Sequence, residues 1–227
     1  MEKAERQRLT LERIDPVLKA KGYKTRKADG MWYYLPQDGI TVTWSLGFQK
    51  KYSFINFRAA RITHDEVELL LQRVADEDYP FPWDIHRGTI LTTTVRHHSF
   101  IPKYHLVAID TEEEVAEFCD WYLGYINGEG ADFVQYYSYL PNVLKRMDEL
   151  VEAGLTWQYP DKGILSGTLD ARFRGLIISK LCNDPNFERK IAWCDEGFYD
   201  GTNDKWLPYY EKLKAEVLLT IEPQYNI

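Results

Sequence analysis

The sequence is poor in cysteine, with only three among its 227 residues. An odd number of cysteines far apart in the chain excludes a disulfide framework, and no two of them have the spacing of a zinc finger. Free cysteines behave as small hydrophobic residues. We therefore predict that Cys119, Cys182 and Cys194 are buried in the core.

The chain also lacks any apolar run that approaches the roughly 20 residues needed to cross a bilayer. The opening residues, Met-Glu-Lys-Ala-Glu-Arg, are mostly charged and have none of the apolar character of a signal peptide. These two absences predict a cytoplasmic protein with no membrane partner.

Signatures of catalysis and of cofactor binding are missing as well. The sequence has no Gly-x-Ser-x-Gly elbow, no glycine-rich phosphate loop and no His-Glu-x-x-His pair. The segment 200–204, Asp-Gly-Thr-Asn-Asp, imitates a calcium loop, but Lys205 stands where that loop requires glycine. We expect no catalytic residue, metal or cofactor, which favours a protein that is not an enzyme.

The composition is that of a folded protein that is rich in aromatic residues. Hydrophobic residues make up 44% and charged residues 28%, while sixteen tyrosines and seven tryptophans raise the aromatic fraction to 15%. Aromatic side chains fill cores, and they also dominate binding surfaces. The high aromatic content is therefore consistent with a large core and also with a binding surface.

The net charge of −7 is distributed unevenly along the chain. Residues 1–61 hold thirteen Lys/Arg against six Asp/Glu, a net of +7, whereas residues 111–227 hold eleven against twenty-one, a net of −10. Complementary charge would help the two parts to dock on each other, and it would equally let the basic part meet an anionic partner.

The clearest secondary-structure pattern lies in residues 40–48, where apolar residues alternate with Thr, Ser and Gly. This period of two predicts a half-buried antiparallel strand. A strand over 31–35 and a turn over 36–39 precede it, and a strand over 52–59 follows. The pairings that we predict keep the apolar side chains on one face: Leu35 with Ile40, Tyr33 with Val42, Met31 with Trp44, Phe48 with Ser53, Leu46 with Ile55, and Trp44 with Phe57.

Helical patterns flank this meander. Residues 9–21 form an amphipathic helix that Asp15-Pro16 interrupts, and capping boxes begin at Thr63 and Thr111. A second hairpin is predicted from strands over 89–98 and 104–110. Helices are predicted over 111–126, 131–153 with a kink at Pro141, 166–182, near Ile191, and over 207–219.

The predicted fold class is therefore α+β. An N-terminal helix, an antiparallel β-meander and a second hairpin make up a first domain over residues 1–110. An all-helical part over residues 111–227 follows, and we expect it to pack on the first domain as one unit.

One candidate binding surface follows from the meander register. The pairing that buries Trp44 turns a different set of side chains to the outer face: Trp32, Tyr34, Phe54 and Arg58. Aromatic and basic residues on a sheet stack nucleobases, and Trp, Tyr and Arg are also the usual anchors of protein interfaces. The alternative is that the helix over 9–21 covers this face.

A second candidate region contains four of the five histidines, at positions 86, 97, 98 and 105. In a hairpin centred on Ile101, His97 lies opposite His105. Two imidazoles would begin a zinc site or serve a hydrolase, but no third ligand is identifiable. A cross-strand polar pair is the simpler interpretation.

The opening quarter of the chain resembles small bacterial domains of unknown function. Those domains share a helix that ends in Leu-x-x-x-Gly-[Phe/Tyr]-x-x-[Lys/Arg], followed by a meander with Gln-Lys near its second turn. The matching residues here are Leu18, Gly22, Tyr23, Arg26, Gln49 and Lys50. Some domains of this type are thought to be accessory or toxin-immunity proteins, so the resemblance implies a protein-binding role.

Three functional hypotheses result. The first is a non-enzymatic bacterial module, of immunity type or regulatory, that binds another protein. The second is nucleic-acid binding by the basic meander. The third is a hydrolase-like enzyme that uses the region from His86 to His105.

Overall fold

The computed structural model describes residues 1–27, 30–49, 53–75, 92–95, 107–158 and 160–226. An N-terminal helix precedes a five-stranded sheet with the strand order β1-β2-β3-β4-β5, and helices dominate the C-terminal half. The α+β prediction is confirmed. Among the described residues, no helix is both long and apolar enough to cross a membrane.

The chain divides into two compact units, and each is built from two segments. The first unit comprises Met1–Ile62 with Arg96–Tyr136, and the second comprises Thr63–Val95 with Tyr137–Ile227. The long helical segment is thus shared between the units, since its beginning belongs with the N-terminal sheet.

Helix α1 spans Lys3–Ala20 and is longer than the pattern predicts. Its buried residues Thr10, Ile14 and Leu18 recur every four positions and form the stripe that packs inward. The predicted interruption at Asp15-Pro16 is wrong, because the helix continues through Pro16. The carboxylate of Asp15 accepts a hydrogen bond of 2.6 Å from the Tyr33 hydroxyl instead of capping a new helix.

The meander consists of β2 (Met31–Gln37), β3 (Ile40–Phe48) and β4 (Ile55–His64). The predicted β2–β3 register is wrong by two residues, because Gln37 pairs with Ile40 and Tyr33 pairs with Trp44. The turn needs only two residues, since Gly39 adopts a left-handed conformation (φ +71°). A shift by two leaves every side chain on its predicted face.

Strand β1 (Lys24–Lys27) has no counterpart in the sequence pattern. It pairs antiparallel with β2 and forms one edge of the sheet, with all four residues exposed. A strand without apolar residues has no alternation to detect. Lysine and arginine on an edge strand also oppose edge-to-edge aggregation.

The inner face of the meander is the core of the first unit. Helix α3 (Glu112–Asn127) packs on it alongside α1, with the Phe57 ring 5.1 Å from Trp121 and 5.8 Å from Tyr122. Trp44 meets Tyr125 edge to face at 6.0 Å. Burying aromatic rings of this size on one side of the sheet supplies much of the apolar area that holds this unit together.

The two predicted capping boxes have different outcomes. At Thr111 the box is confirmed, since the Glu114 amide donates to the Thr111 hydroxyl (3.1 Å) and the Glu114 carboxylate accepts from the Thr111 amide (2.9 Å). At Thr63 it is wrong. Thr63 and His64 are the last residues of β4, and α2 (Asp65–Gln72) begins after them without a side-chain cap.

The remaining helices follow the predicted order with shifted bounds. The helix predicted over 131–153 is two helices, because a new one begins at Leu140 with Pro141 in its first turn. The observed helices are α4 (Glu129–Tyr137), α5 (Leu140–Glu152), α6 (Asp170–Leu181), α7 (Phe187–Phe198) and α8 (Leu207–Lys212). A π-helical turn over Leu213–Val217 and a 3-10 turn over Leu218–Thr220 continue α8.

The second hairpin lies mostly outside the described residues. Of its first strand, Thr94–Val95 is present as β5, and of its second strand the described residues 107–110 have no regular structure. The three cysteines are free and buried, as the sequence predicts.

Candidate binding face

The outer face of the sheet carries the aromatic residues that the sequence nominates. Trp32 and Tyr34 alternate with the buried Met31 and Tyr33 along β2, so both point away from the core. They are half-buried. The pairs Arg26–Trp32 and Lys24–Tyr34 join them to β1, and paired residues share a face. Each aromatic residue is thus flanked by an exposed cation.

On its other side each aromatic residue pairs with a short polar residue of β3. Ser45 lies opposite Trp32 and is 6% exposed, and Thr43 lies opposite Tyr34 and is 1% exposed. The Thr43 hydroxyl is buried and has no hydrogen-bond partner among the residues that the structure describes. The β3 residues at the centre of the outer face are therefore buried, and the solvent-accessible groups of this face lie on the neighbouring strands.

Strand β4 supplies the second row of accessible groups. A side chain at Gly47 would contact Cβ of Asn56 at 3.4 Å, which places Asn56 on the outer face beside β3. Arg58 follows two positions later on the same face, and both residues are exposed. Phe54 is half-buried and precedes β4, so this predicted site residue lies just outside the strand.

Arg61 lies three positions after Arg58 on β4, and its contact with the outer-face residue Trp32 places its guanidinium on the same face. Its guanidinium carbon lies 5.3 Å from the centroid of the Trp32 ring, within the range of a cation–π contact. Burial, and secondly the charge of Arg58, lower the pKa of Arg61 to about 9. The guanidinium still carries its charge at neutral pH, at a cost in free energy that a bound anion would offset.

None of these cations has an ion-pair partner within the described part of the chain. The basic and aromatic residues of the outer face are together called the basic face: Lys24, Arg26, Trp32, Tyr34, Arg58 and Arg61. No described carboxylate compensates their positive charge, whereas cations of α1 such as Arg8 and Lys19 are paired with carboxylates.

The helix expected to cover this face lies elsewhere. Helix α1 packs with α3 on the inner side, where Asp15 binds the Tyr33 hydroxyl. The alternative in which residues 9–21 cover Trp32 and Tyr34 is therefore wrong. The apolar stripe of α1 therefore packs on the face of Tyr33 and Trp44.

Sequence reasoning missed Lys24, Arg26 and Arg61. The basic composition of residues 1–61 was the available signal, but it does not say which cations share a face. That assignment needs β1 and its pairing with β2.

Within the described residues, the other regions that the sequence singled out bring no site together. The four clustered histidines, His86, His97, His98 and His105, lie outside the described residues. His64 is buried and its Nε2 lies 3.1 Å from the Tyr137 carbonyl oxygen. Burial lowers its pKa to about 4, so the neutral ring donates to this carbonyl.

The calcium-like loop binds its own backbone. The Asp200 carboxylate accepts from the Thr202 amide (2.8 Å) and hydroxyl (2.6 Å), which is the geometry of an Asx turn. Within the described part of the chain, no group of three His, Cys, Asp or Glu residues has the geometry to hold a metal.

Comparisons of the chain with protein-family models, with curated proteins and with solved structures find no match.

Proposed function

We propose that this protein is a binding module that recognises an acidic segment of a partner protein through the basic face. The observation that carries the proposal is the contact between Arg61 and Trp32. The Arg61 guanidinium is half-buried on the Trp32 ring and close to a second arginine, Arg58. It has no carboxylate partner in the described residues, so it is available to bind an anion.

The chemistry of the face suits a carboxylate-bearing protein. Trp, Tyr and Arg are the residue types in which interface energy concentrates. Arginine binds a carboxylate through two parallel hydrogen bonds, so Arg58 and Arg61 would each position an aspartate or glutamate. The exposed Lys24 and Arg26 lie at the edge of the sheet, where charges increase the rate of association more than the affinity.

The resemblance of the first quarter of the chain to bacterial accessory and immunity domains agrees with this role. In the proposal the protein is a regulatory or immunity-type module whose partner presents an acidic surface. The resemblance concerns the fold, so the assignment depends on the face itself and not on the analogy.

Binding of single-stranded nucleic acid is the second candidate, and strand β1 favours it. Lys24 and Arg26 add two cations to the face of Trp32 and Tyr34, the combination that tracks a phosphate backbone and stacks bases. Arg61 argues against it, because its guanidinium already occupies one face of the Trp32 ring.

Fluorescence anisotropy at low salt separates the candidates. The probes are a labelled peptide of alternating Glu and Gly and a labelled oligo(dT) of equal charge. We expect the peptide to bind the native protein, and the double variant R58A/R61A to weaken binding by about tenfold or more. The variant K145A/K205A is the matched control, because it removes two exposed charges that have no ion-pair partner among the described residues and do not belong to the basic face.

Each result has a defined meaning. If oligo(dT) binds more tightly than the peptide, the partner is a nucleic acid and the proposal of a protein partner is wrong. If neither probe binds, or if the control variant loses as much affinity as R58A/R61A, the basic face is not a binding site. The single variant R58E changes an exposed side chain only, so it tests the face even if loss of Arg61 impairs folding.

A further inference from the structure

Strand β1 has a neighbouring strand on one side only, within the part of the sheet that the structure describes. It lies at the edge of the sheet and pairs with β2. All four of its residues are exposed. An exposed edge of this kind is a template on which a second extended chain adds through main-chain hydrogen bonds.

The turn between β2 and β3 determines which backbone groups of β2 point toward β1. Because this turn has two residues, the pair Gln37–Ile40 that closes it is hydrogen-bonded. Hydrogen-bonded pairs recur at every second position of an antiparallel ladder. Pro36 agrees with this order, because it lies between two such pairs and has no N–H to donate to β3. Tyr34 and Trp32 lie in the same row as Pro36, so their N–H and C=O groups point toward β1.

The same alternation determines which backbone groups of β1 point outward. Lys24 and Arg26 are the partners of these two aromatic residues, so their backbone groups bond to β2. Thr25 and Lys27 lie at the alternate positions, and their N–H and C=O groups point away from β2. Two donors and two acceptors therefore face the side on which no described strand lies.

The side chains of β1 select the charge of an added strand. Three of its four residues are cations, and none of Lys24, Arg26 and Lys27 has an ion-pair partner among the described residues. A second copy of β1 would place cations opposite cations, and like charges in opposite positions destabilise a strand pair. The edge therefore disfavours self-pairing and accepts a strand that carries acidic side chains.

The geometry of the edge also fixes where those acidic side chains lie. Because Thr25 and Lys27 supply the hydrogen bonds, the residues opposite Lys24 and Arg26 form non-hydrogen-bonded pairs. The Cα atoms of such pairs are about 4.5 Å apart, and their side chains are close together. Two carboxylates at alternate positions of the added strand would thus meet the two cations on the outer face of the sheet.

We propose that the acidic segment of the partner adds to β1 as an antiparallel strand with carboxylates at every second position. This inference rests on the proposed function for the charge of the segment, and it adds the conformation of the segment and its place on the sheet. Neighbouring strands are about 4.8 Å apart, so an added strand lies about 19 Å from β4. A chain that pairs with β1 and also reaches Arg58 needs about six further extended residues to cross the face.

Peptides with methylated backbone nitrogens test the inference without changing the protein. The parent peptide alternates Glu and Gly. With its Glu side chains opposite Lys24 and Arg26, its Gly N–H groups donate to β1 and its Glu N–H groups point to solvent. In fluorescence anisotropy, methylation of the Gly nitrogens should weaken binding by about tenfold or more, because it removes the donors. Methylation of the Glu nitrogens is the matched control, which has the same charge and should bind like the parent.

Amide hydrogen exchange of the protein gives a second measurement. The parent peptide should slow exchange at Thr25 and Lys27, whereas Lys24 and Arg26 should change little because they already bond to β2. Slow exchange at Thr25 and Lys27 before any peptide is added overturns the inference. The edge would then already be occupied by another segment of the chain or by a second copy.

The outcomes distinguish this inference from the proposed function. If both methylated peptides bind as tightly as the parent and R58A/R61A still weakens binding, the acidic segment lies on the basic face without pairing to β1. Only the inference about the edge is then wrong. If the parent peptide does not bind, the proposed function and the inference are both wrong.

Discussion

Arg174 on α6 donates to both carboxylate oxygens of Glu68 on α2, at 2.7 and 2.9 Å, although the two residues are 106 positions apart. Asp170 accepts a further bond from the same guanidinium at 2.5 Å. All three side chains are buried. Burial alone would lower the pKa of Arg174, but the charges of Glu68 and Asp170 and their hydrogen bonds raise it overall.

Breaking this network is expected to destabilise the protein strongly. R174M leaves two carboxylates buried without their cation, and loss of one partner of a buried pair costs about 3–5 kcal/mol. Urea unfolding measures the change. The control R146M removes the exposed pair with Glu149, for which we expect less than about 1 kcal/mol. Equal losses in the two variants would contradict a role for the network in stability.

Acid is expected to destabilise the protein through His64. Burial lowers the pKa of His64 to about 4, below the value near 6.5 of an unfolded chain. Between these values the unfolded state binds more protons, so the free energy of unfolding decreases as the pH falls from about 6.5 toward 4. The total loss from this group is about 3 kcal/mol by pH 4.

The variant H64Q isolates this contribution. Glutamine retains an N–H donor for the Tyr137 carbonyl but does not titrate. Urea unfolding at a series of pH values should show a shallower decline for H64Q than for the native protein. Parallel curves would mean that carboxylates alone produce the acid sensitivity.

A methyl group at Gly130 is expected to disturb the core of the first unit. A Cβ atom there would lie 2.7 Å from the Trp44 ring and 2.9 Å from the Tyr125 carbonyl oxygen. G130A should therefore lower the free energy of unfolding by about 1–3 kcal/mol. Gly124, on α3, has no atom within 4 Å of its Cβ position, so G124A should instead stabilise the helix by up to about 1 kcal/mol. Thermal unfolding of both variants and of the native protein measures these changes in stability.

The thiols are expected to be unreactive in the folded protein. Burial raises the pKa of Cys119, Cys182 and Cys194 to about 12 in each case. Almost no thiolate is then present at about pH 8, and access is blocked as well. Reaction with a colorimetric disulfide reagent should be negligible in buffer and complete in guanidinium chloride. Rapid reaction of the native protein would show that a cysteine opens to solvent.

The register of the meander illustrates what pattern alone can predict. The alternation over residues 40–48 indicated both the strand and the inward direction of Trp44, and Trp32 and Tyr34 followed to the outer face. The pairing was displaced by two residues, because the conformation of Gly39 decides the length of the turn. Even displacements preserve faces, so the candidate surface survived the error.

By itself the sequence determined the features that depend on neighbours within a few positions: the α+β class, the strand over 40–48 and the cap at Thr111. Tertiary structure decided the rest. The same box pattern at Thr63 gave way to the extension of β4, and Glu68, which looks like a solvated helix residue, is held by a distant arginine. Only folding decides which charges meet a partner, and in the described part of the chain neither Arg58 nor Arg61, which lies on Trp32, meets a carboxylate.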